Sequence, residues 1–310
     1  MNVLIVGAGV IGTVYGAHLG AAGHTVHVLS RPPRTEGIAV HGLAAHDVVS
    51  GARTEATARV VDTAGAGRYD LVLVTVRFGQ IGRAAGQLTA LGGAPIVLFF
   101  GNNPPGRAAI PTSVSGTVRL GFPGVAGVLR DGVADYVRIR QQPTALQAGP
   151  VAGLDELEHV LRQRGFDVQR VTDMEGWLAY HAAFIACVAA ALDRCGTDAA
   201  RLASDRATLR LMCAAITEAF AALRQQGIAG LPRNLAVLHS PLLKTVAERY
   251  WARTMRSPAG ELCFAAHARN APAEMRALAG QVTARLADRP STSHLRQLLG
   301  RIPAEPREGP

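Results

Sequence analysis

A short apolar run, Asn2 to Val6, leads directly into Gly7-Ala8-Gly9-Val10-Ile11-Gly12, and the small-residue stretch Thr13 to Ala22 that follows has helical character. Few short patterns restrict a chain so strongly. A strand, a glycine turn and a helix in that order open a βαβ unit, and each glycine then has its own task. Gly7 turns the chain tightly, Gly9 lets the backbone approach a pyrophosphate, and Gly12 lets the helix lie close on the strand. The N–H groups and dipole at the helix start, from Gly9 through Val10 and Ile11, would face the phosphates. The pattern predicts a dinucleotide site over residues 7–12.

The rest of the first half continues the theme. His24 to Ser30 is rich in β-branched residues and ends at the turn-prone Arg31-Pro32-Pro33-Arg34; Asp70 to Val76 and Pro95 to Phe100 are unbroken apolar runs of strand length, with a helical Gly79 to Leu91 between them. This alternation predicts an α/β fold with an N-terminal Rossmann, doubly wound sheet. From Val118 to Gln147 the pattern is strand-like with turns at Gly121, Gly124, Gly127 and Asp131-Gly132, which suggests antiparallel additions to that sheet. A helix at Leu154 to Gln163 and a last strand at Phe166 to Val171 follow. Beyond Thr172 nearly everything to about Leu286 has helical periodicity, broken at Gly196, Gly227 to Pro232, Ser257 to Gly260 and around Pro272. A chain of 310 residues exceeds one ordinary core. The expected division is 1–171, a nucleotide-binding Rossmann domain; 172–302, an all-helical C-terminal domain for substrate and dimerisation; and 303–310, a frayed tail.

The formal charge of +9 raises nucleic acid or an anionic membrane as partners, but the excess is scattered arginine, with Lys244 the only lysine. Neither partner is expected; acidic small molecules are. Cys187, Cys195, Cys213 and Cys263 fit no zinc or disulfide spacing, so no metal is expected and a reducing cytoplasm suits the chain. The longest uncharged apolar run, Ala182 to Leu192, is too short to span a bilayer. Apolar helix faces in the second domain are a candidate homodimer surface.

The end of the second strand separates the two nicotinamide cofactors, because an acidic residue there binds a ribose 2′-hydroxyl and a basic one accommodates a 2′-phosphate. Here stand Ser30-Arg31, with Arg34 close by and no competing Asp or Glu at the strand end. NADP(H) is the expected cofactor, the alternative being that Arg31 is a solvated loop residue.

Residues 7–31, GAGVIGTVYGAHLGAAGHTVHVLSR, with Gly42-Leu43 and then Thr75-Val76-Arg77-Phe78-Gly79-Gln80, resemble the opening of ketopantoate reductases (2-dehydropantoate 2-reductases). The resemblance implies a Rossmann domain, an all-helical second domain and NADPH in the cleft between them. It carries the family's cofactor contacts onto Gly7, Gly9, Gly12 and Arg31, with Arg77 in place of a lysine. The family's Asn-Gly, which contacts substrate and nicotinamide ribose, falls on Asn102, or on Gly101 or Asn103 if the match shifts by one; a plain turn before Pro104 is the alternative.

The catalytic pattern breaks. The family's Trp-x-Lys-x-x-x-Asn-x-x-x-Asn meets Trp177, Ala179, Ala183 and Cys187, so the lysine that supplies the proton is absent. Lys244 is too distant in sequence to restore it and reads first as a solvated helix residue. His181 and Tyr180 are the candidate replacements, since an imidazole can donate a proton near neutral pH and a phenol can hydrogen-bond an oxyanion; a structural core histidine is the competing reading of His181. Arg253 and Arg256, three residues apart, could together hold a carboxylate. His267 and Glu274 are further substrate candidates, although Pro272 between them should break the helix. The expected activity is NADPH-dependent reduction of a small carbonyl or imine compound with a non-lysine proton donor. A non-redox enzyme such as a cyclase, or a ligand-binding protein on the same scaffold, is the alternative.

Overall fold

The apolar runs at Asn2–Val6, Leu71–Val74 and Ile96–Phe100 are strands whose side chains are buried on both faces, the environment that parallel strands under helices require. The computed structural model describes residues 1–286 and 291–300. The tail expected at 303–310 therefore lies outside the described residues. The chain divides into two units, Met1–Met174 and a second beginning at Glu175.

The order in the first unit is β1 (Asn2–Val6), α1 (Val10–Ala21), β2 (Thr25–Leu29), α2 (Arg34–His41), β3 (Leu43–Asp47), β4 (Arg53–Ala56), β5 (Arg59–Val60), β6 (Leu71–Val74), α3 (Ile81–Gln87), β7 (Ile96–Phe100), β8 (Thr117–Phe122), β9 (Val125–Arg130), β10 (Val133–Arg138), β11 (Thr144–Gln147), α4 (Ala152–Gln163) and β12 (Val168–Val171). Eight strands form the main sheet, in the order β12-β11-β8-β7-β6-β1-β2-β5. Strand β1 pairs in parallel with β2 on one side and β6 on the other. The chain thus reverses its direction of travel across the sheet at β1, and the carboxyl end of that strand is the switch point where doubly wound sheets bind ligands. The glycine loop leaves β1 at that place.

The region 118–147 departs from the sequence expectation. Only β11 joins the main sheet antiparallel, against β8. Strands β9 and β10 pair with each other and with β3 and β4 in a separate four-stranded sheet, order β4-β3-β10-β9. Asp131-Gly132 is the expected turn, with φ of 46° and 84°, the geometry of a two-residue hairpin. Gly121 and Gly127, expected as turns, lie inside β8 and β9; they are glycine because a Cβ would come within 2.9 Å of the Ala145 carbonyl and 2.1 Å of the Asp135 carbonyl. Helix α1 packs against both sheets, so Gly12 to Leu19 are all buried. Two of its side chains make buried hydrogen bonds, the Tyr15 hydroxyl with Thr144 Oγ1 at 2.7 Å and His18 Nε2 with the Tyr136 hydroxyl at 2.9 Å, while His18 Nδ1 has no partner.

The second unit is helical: α5 (Met174–Arg194), α6 (Ala199–Ser204), α7 (Arg206–Gln225), α8 (Arg233–Leu238), α9 (Lys244–Met255), a π-helical turn at Gly260–Ala265, α10 (Ala266–Asn270), α11 (Pro272–Leu286) and α12 (Ser293–Leu299). Helix α5 is long and apolar enough to cross a membrane by length and composition, but its apolar window is 89% buried within the protein. It is the core helix of this unit, with Phe184 tilted on Trp251 at 5.2 Å. Asp198 and Asp205 cap α6 and α7 by accepting from backbone N–H groups of the first turn.

Candidate active site

The glycine loop has three glycines for three separable reasons. Gly7 has φ +96°, and a Cβ there would lie 2.9 Å from Val76 Cγ1. At Gly12 a Cβ would lie 2.1 Å from the Gly7 carbonyl oxygen and 2.7 Å from Thr75 Oγ1, so α1 can sit on β1 and β6 only without a side chain. A Cβ at Gly9 would meet nothing within 4 Å. That residue is the N-cap of α1, and no side chain caps the helix. The first-turn N–H groups of Val10 and Ile11 have no intrahelical acceptor, as at any helix start. Open space beside an uncapped N-terminus is what a pyrophosphate needs, and the residues present fit one.

The loop carbonyls are held from behind. Thr75 Oγ1, just past β6, donates to the Gly7 carbonyl at 2.5 Å. Arg34 Nε donates to the Ala8 carbonyl at 3.0 Å, and its Nη2 to Thr13 Oγ1 at 2.9 Å. Between them these contacts fix the peptide planes of the loop. Arg34 is half-buried, burial pulls its guanidinium below its ordinary pKa, and its partners are a carbonyl and a hydroxyl. No carboxylate pairs with it among the described residues. A partly desolvated cation without a counter-charge is a place where a phosphate would be stabilising. Arg31 is exposed on the loop after β2. Position at the strand end favours Arg31, whereas the contacts to the loop are made by Arg34, whose sequence signal is only that of a second basic residue nearby.

Arg77 is exposed and opens the turn before α3, where its N–H donates to Gln80 Oε1 at 3.3 Å. Of the two asparagines after β7, Asn103 is buried and builds the turn, its Nδ2 donating to the Gly106 carbonyl at 2.9 Å. Asn102 beside it is half-buried. Asn103 Nδ2 is thus committed to the backbone of the turn.

In the second unit the expected arginine pair does not act together. Arg256 donates to the Ala203 carbonyl at the end of α6, 3.0 Å away, which satisfies a helix C-terminus. Arg253 is exposed on α9. His267 and Glu274 are brought together instead, Nε2 to Oε2 3.9 Å, across the break between α10 and α11. Lys244 lines a cavity of about 650 Å³ with Arg210, Glu218, Glu248 and His294. That cavity meets α5 at Arg194, fifteen residues or about 22 Å along the helix from Ala179.

Residues 3–105 match the family model described as "Ketopantoate reductase PanE/ApbA". The match covers about a third of the chain, within its first unit. No curated protein matches the sequence. Among solved structures, a PanE/ApbA family ketopantoate reductase from Ralstonia eutropha JMP134 is 23% identical over 97% of this chain and 97% of its own, with a TM-score of 0.75. A probable 2-dehydropantoate 2-reductase from Bacillus subtilis is 17% identical over 97% of this chain and 99% of its own, TM-score 0.71. D-mandelate dehydrogenase in complex with NADH is 16% identical over 97% of this chain and 98% of its own, TM-score 0.69. At these identities the likeness is one of fold, and it extends over both units.

Against the ketopantoate reductase pattern, the lysine position on α5 is apolar throughout. Ala179, Ala183 and Cys187 are all buried. The proposed replacements do not take over that face. His181 lies two residues beyond Ala179, about 200° round the helix, stacked on Trp177 at 5.0 Å and edge-on to Phe184 at 6.1 Å. Burial pushes its imidazole down to about 3, so it is neutral at pH 7 and is the core histidine of the competing reading. The Tyr180 hydroxyl donates to the Ile228 carbonyl at 2.9 Å, which commits its proton to holding the loop after α7.

Proposed function

We propose that this chain is an NADP(H)-dependent oxidoreductase of ketopantoate reductase type that reduces a small carbonyl or imine compound with a proton donor other than lysine. The observation that carries the reading is the loop at β1: open space at Gly9, an uncapped helix start, and carbonyls tied back by Thr75 and Arg34. The N–H groups of Gly9, Val10 and Ile11 would hold the pyrophosphate, and Arg34 with Arg31 the 2′-phosphate. Arg77 and Asn102 are assigned to the nicotinamide side of the same cofactor. Bound there, the reduced nicotinamide supplies a hydride to an electrophilic carbon. The chain's own part is to position the substrate and to neutralise the negative charge that develops on its heteroatom.

We take 2-oxo acids as the first substrates to try, 2-dehydropantoate before others, in keeping with the similarity to a probable 2-dehydropantoate 2-reductase. Consumption of NADPH, followed by its absorbance, should match the alcohol formed one for one; no NADPH consumption with any member of a 2-oxo acid and imine panel would overturn the reading. The apolar face at Ala179, Ala183 and Cys187 favours one other reading, a non-redox reaction on the same scaffold. Product formed with the cofactor's redox state unchanged would select it.

A further inference from the structure

We propose that the helical unit carries a binding site of its own for an amphipathic monocarboxylate, an acid with a short apolar chain, in the cavity of about 650 Å³ that Lys244 lines. Every residue of its wall lies between Arg194 and Gln297, within the second unit, so the site does not rest on the reductase reading. Its size is that of small-molecule sites, about 300–1,000 Å³.

The wall has two chemical characters. Leu211 and Ala214 on α7, Leu238 at the end of α8 and Ala247 on α9 give it an apolar side. The other side is charged, with Arg194, Arg210 and Lys244 standing against Glu218 and Glu248. Both carboxylates are engaged. Glu218 takes the His294 imidazole, the Leu295 N–H at 3.0 Å and Ser293 Oγ at 3.4 Å, which commits it to the start of α12. Glu248 faces Arg210 at 3.5 Å. Of the cations, Arg194 gives Nη1 to the Gln297 carbonyl at 3.0 Å, and Asp205 feels its charge. Lys244 has no carboxylate within ion-pair distance among the described residues. The wall is thus left with one positive charge that a single negative charge would complement.

A second, independent observation asks for an acceptor. His239, only 5% exposed, also lines the cavity. Its Nε2 accepts from the Trp251 indole N–H at 3.1 Å, so the neutral ring carries its proton on Nδ1. Burial pushes the imidazole down to about 4, which keeps it neutral at pH 7. Nδ1 is buried yet has no hydrogen-bond partner; the Cys213 carbonyl is near enough to favour a proton there but lies outside the geometry of a bond. A buried donor without an acceptor is destabilising, and an oxygen entering the cavity would relieve it. A carboxylate supplies both needs at once: an acceptor for His239 and a charge for Lys244, while the chain behind it lies along Leu211, Ala214 and Leu238. A neutral ligand would answer only the first need, and a small inorganic anion would leave the apolar side wet.

The one lysine of the chain supplies the probe. Reductive methylation with isotope-labelled formaldehyde marks only Lys244 and the α-amino group of the full-length protein and keeps the ammonium charge. The Lys244 resonance can then be followed alone as potassium octanoate is added. Octanoate should shift it saturably, at one per chain. Acetate, which has the charge without the chain, should give no saturable shift, and octanol, which has the chain without the charge, should bind several-fold more weakly. In calorimetric titrations of the unlabelled protein, K244Q should weaken octanoate roughly ten-fold, the worth of a hydrogen bond to a charged group. Its melting temperature should be unchanged, because Lys244 is exposed. A214W, which fills the cavity from α7, should abolish binding; K244Q keeps the test decisive should A214W fail to fold. No saturable shift at millimolar octanoate, octanol binding as tightly as octanoate, or an octanoate affinity unmoved by K244Q overturns the assignment.

Discussion

Gly9 and Gly12 are the same residue type used for opposite reasons, which makes them a matched pair for mutation. A Cβ at Gly12 would meet the Gly7 carbonyl at 2.1 Å, so Gly12→Ala should cost about 1–3 kcal/mol of stability and abolish cofactor binding. A Cβ at Gly9 meets nothing within 4 Å, so Gly9→Ala should leave the melting temperature alone yet weaken NADPH by roughly ten-fold or more, about 1.4 kcal/mol. Calorimetric titration beside thermal melts separates the two. Arg34→Gln should weaken NADPH by about 1.5–3 kcal/mol, the range of a hydrogen bond to a charged group, and weaken NADH less; Arg31→Gln should do less to either. The glycines were legible because a turn, a close approach and a helix start are all local. Arg34 was legible only as a nearby charge, because its hold on Ala8 and Thr13 crosses from α2 to the loop. His181 is buried against Trp177 and Phe184, a setting set by packing that its sequence position does not display. Its burial carries a consequence of its own. The folded value of about 3 lies below the ordinary 6.5, and His18 is likewise lowered to about 4 by burial. The unfolded chain therefore takes up protons that the native state refuses. Stability should fall as pH drops through 6.5 toward these values, by up to ~1.4 kcal/mol per pH unit for each histidine, and His181→Phe should flatten the denaturation midpoint across that window.

Among the elements, α1 has the least freedom, packed against both sheets of its unit. Tyr15 joins it to two strands' ends: its hydroxyl shares a hydrogen bond with Thr144 at 2.7 Å and accepts from the Gly124 N–H at 3.0 Å. Tyr15→Phe leaves Gly124 N–H and Thr144 Oγ1 only their 3.3 Å bond to each other and should cost about 0.5–1.5 kcal/mol in a urea titration without changing NADPH affinity. The main-sheet strands could be read directly because they are apolar on both faces, as at Leu71–Val74. The second sheet could not. Strand β4 is Arg-Thr-Glu-Ala with no buried residue, and β3 alternates buried and half-buried positions through His46 and Asp47, so neither has the signal of a buried strand. The pairing of β3 with β10 is a long-range event, and β4 reaches that sheet only through β3. The π turn before α10 is equally silent in sequence, since its composition is that of an ordinary helix.

At the scale of the whole molecule, the succession from alternating strands and helices to uninterrupted helices was enough to state a doubly wound domain followed by a helical one. That succession is a matter of period, which sequence displays openly. The chemistry was less open. The loss of lysine at Ala179 could be read from the chain, but the pair His267 and Glu274, separated by the helix-breaking Pro272, becomes a pair only when α10 and α11 fold. Arg253 and Arg256 taught the converse, for spacing suggested a shared task and α6 claimed one of them. The proposed function depends on the loop at residues 7–12 and its arginine being a nicotinamide dinucleotide site selective for the 2′-phosphate. The most direct measurement is a calorimetric titration of the purified chain with NADPH and, separately, with NADH. The expected result is one site per chain for each, tighter for NADPH by about ten-fold or more, or 1.4 kcal/mol; no binding of either, or a preference for NADH, would contradict it.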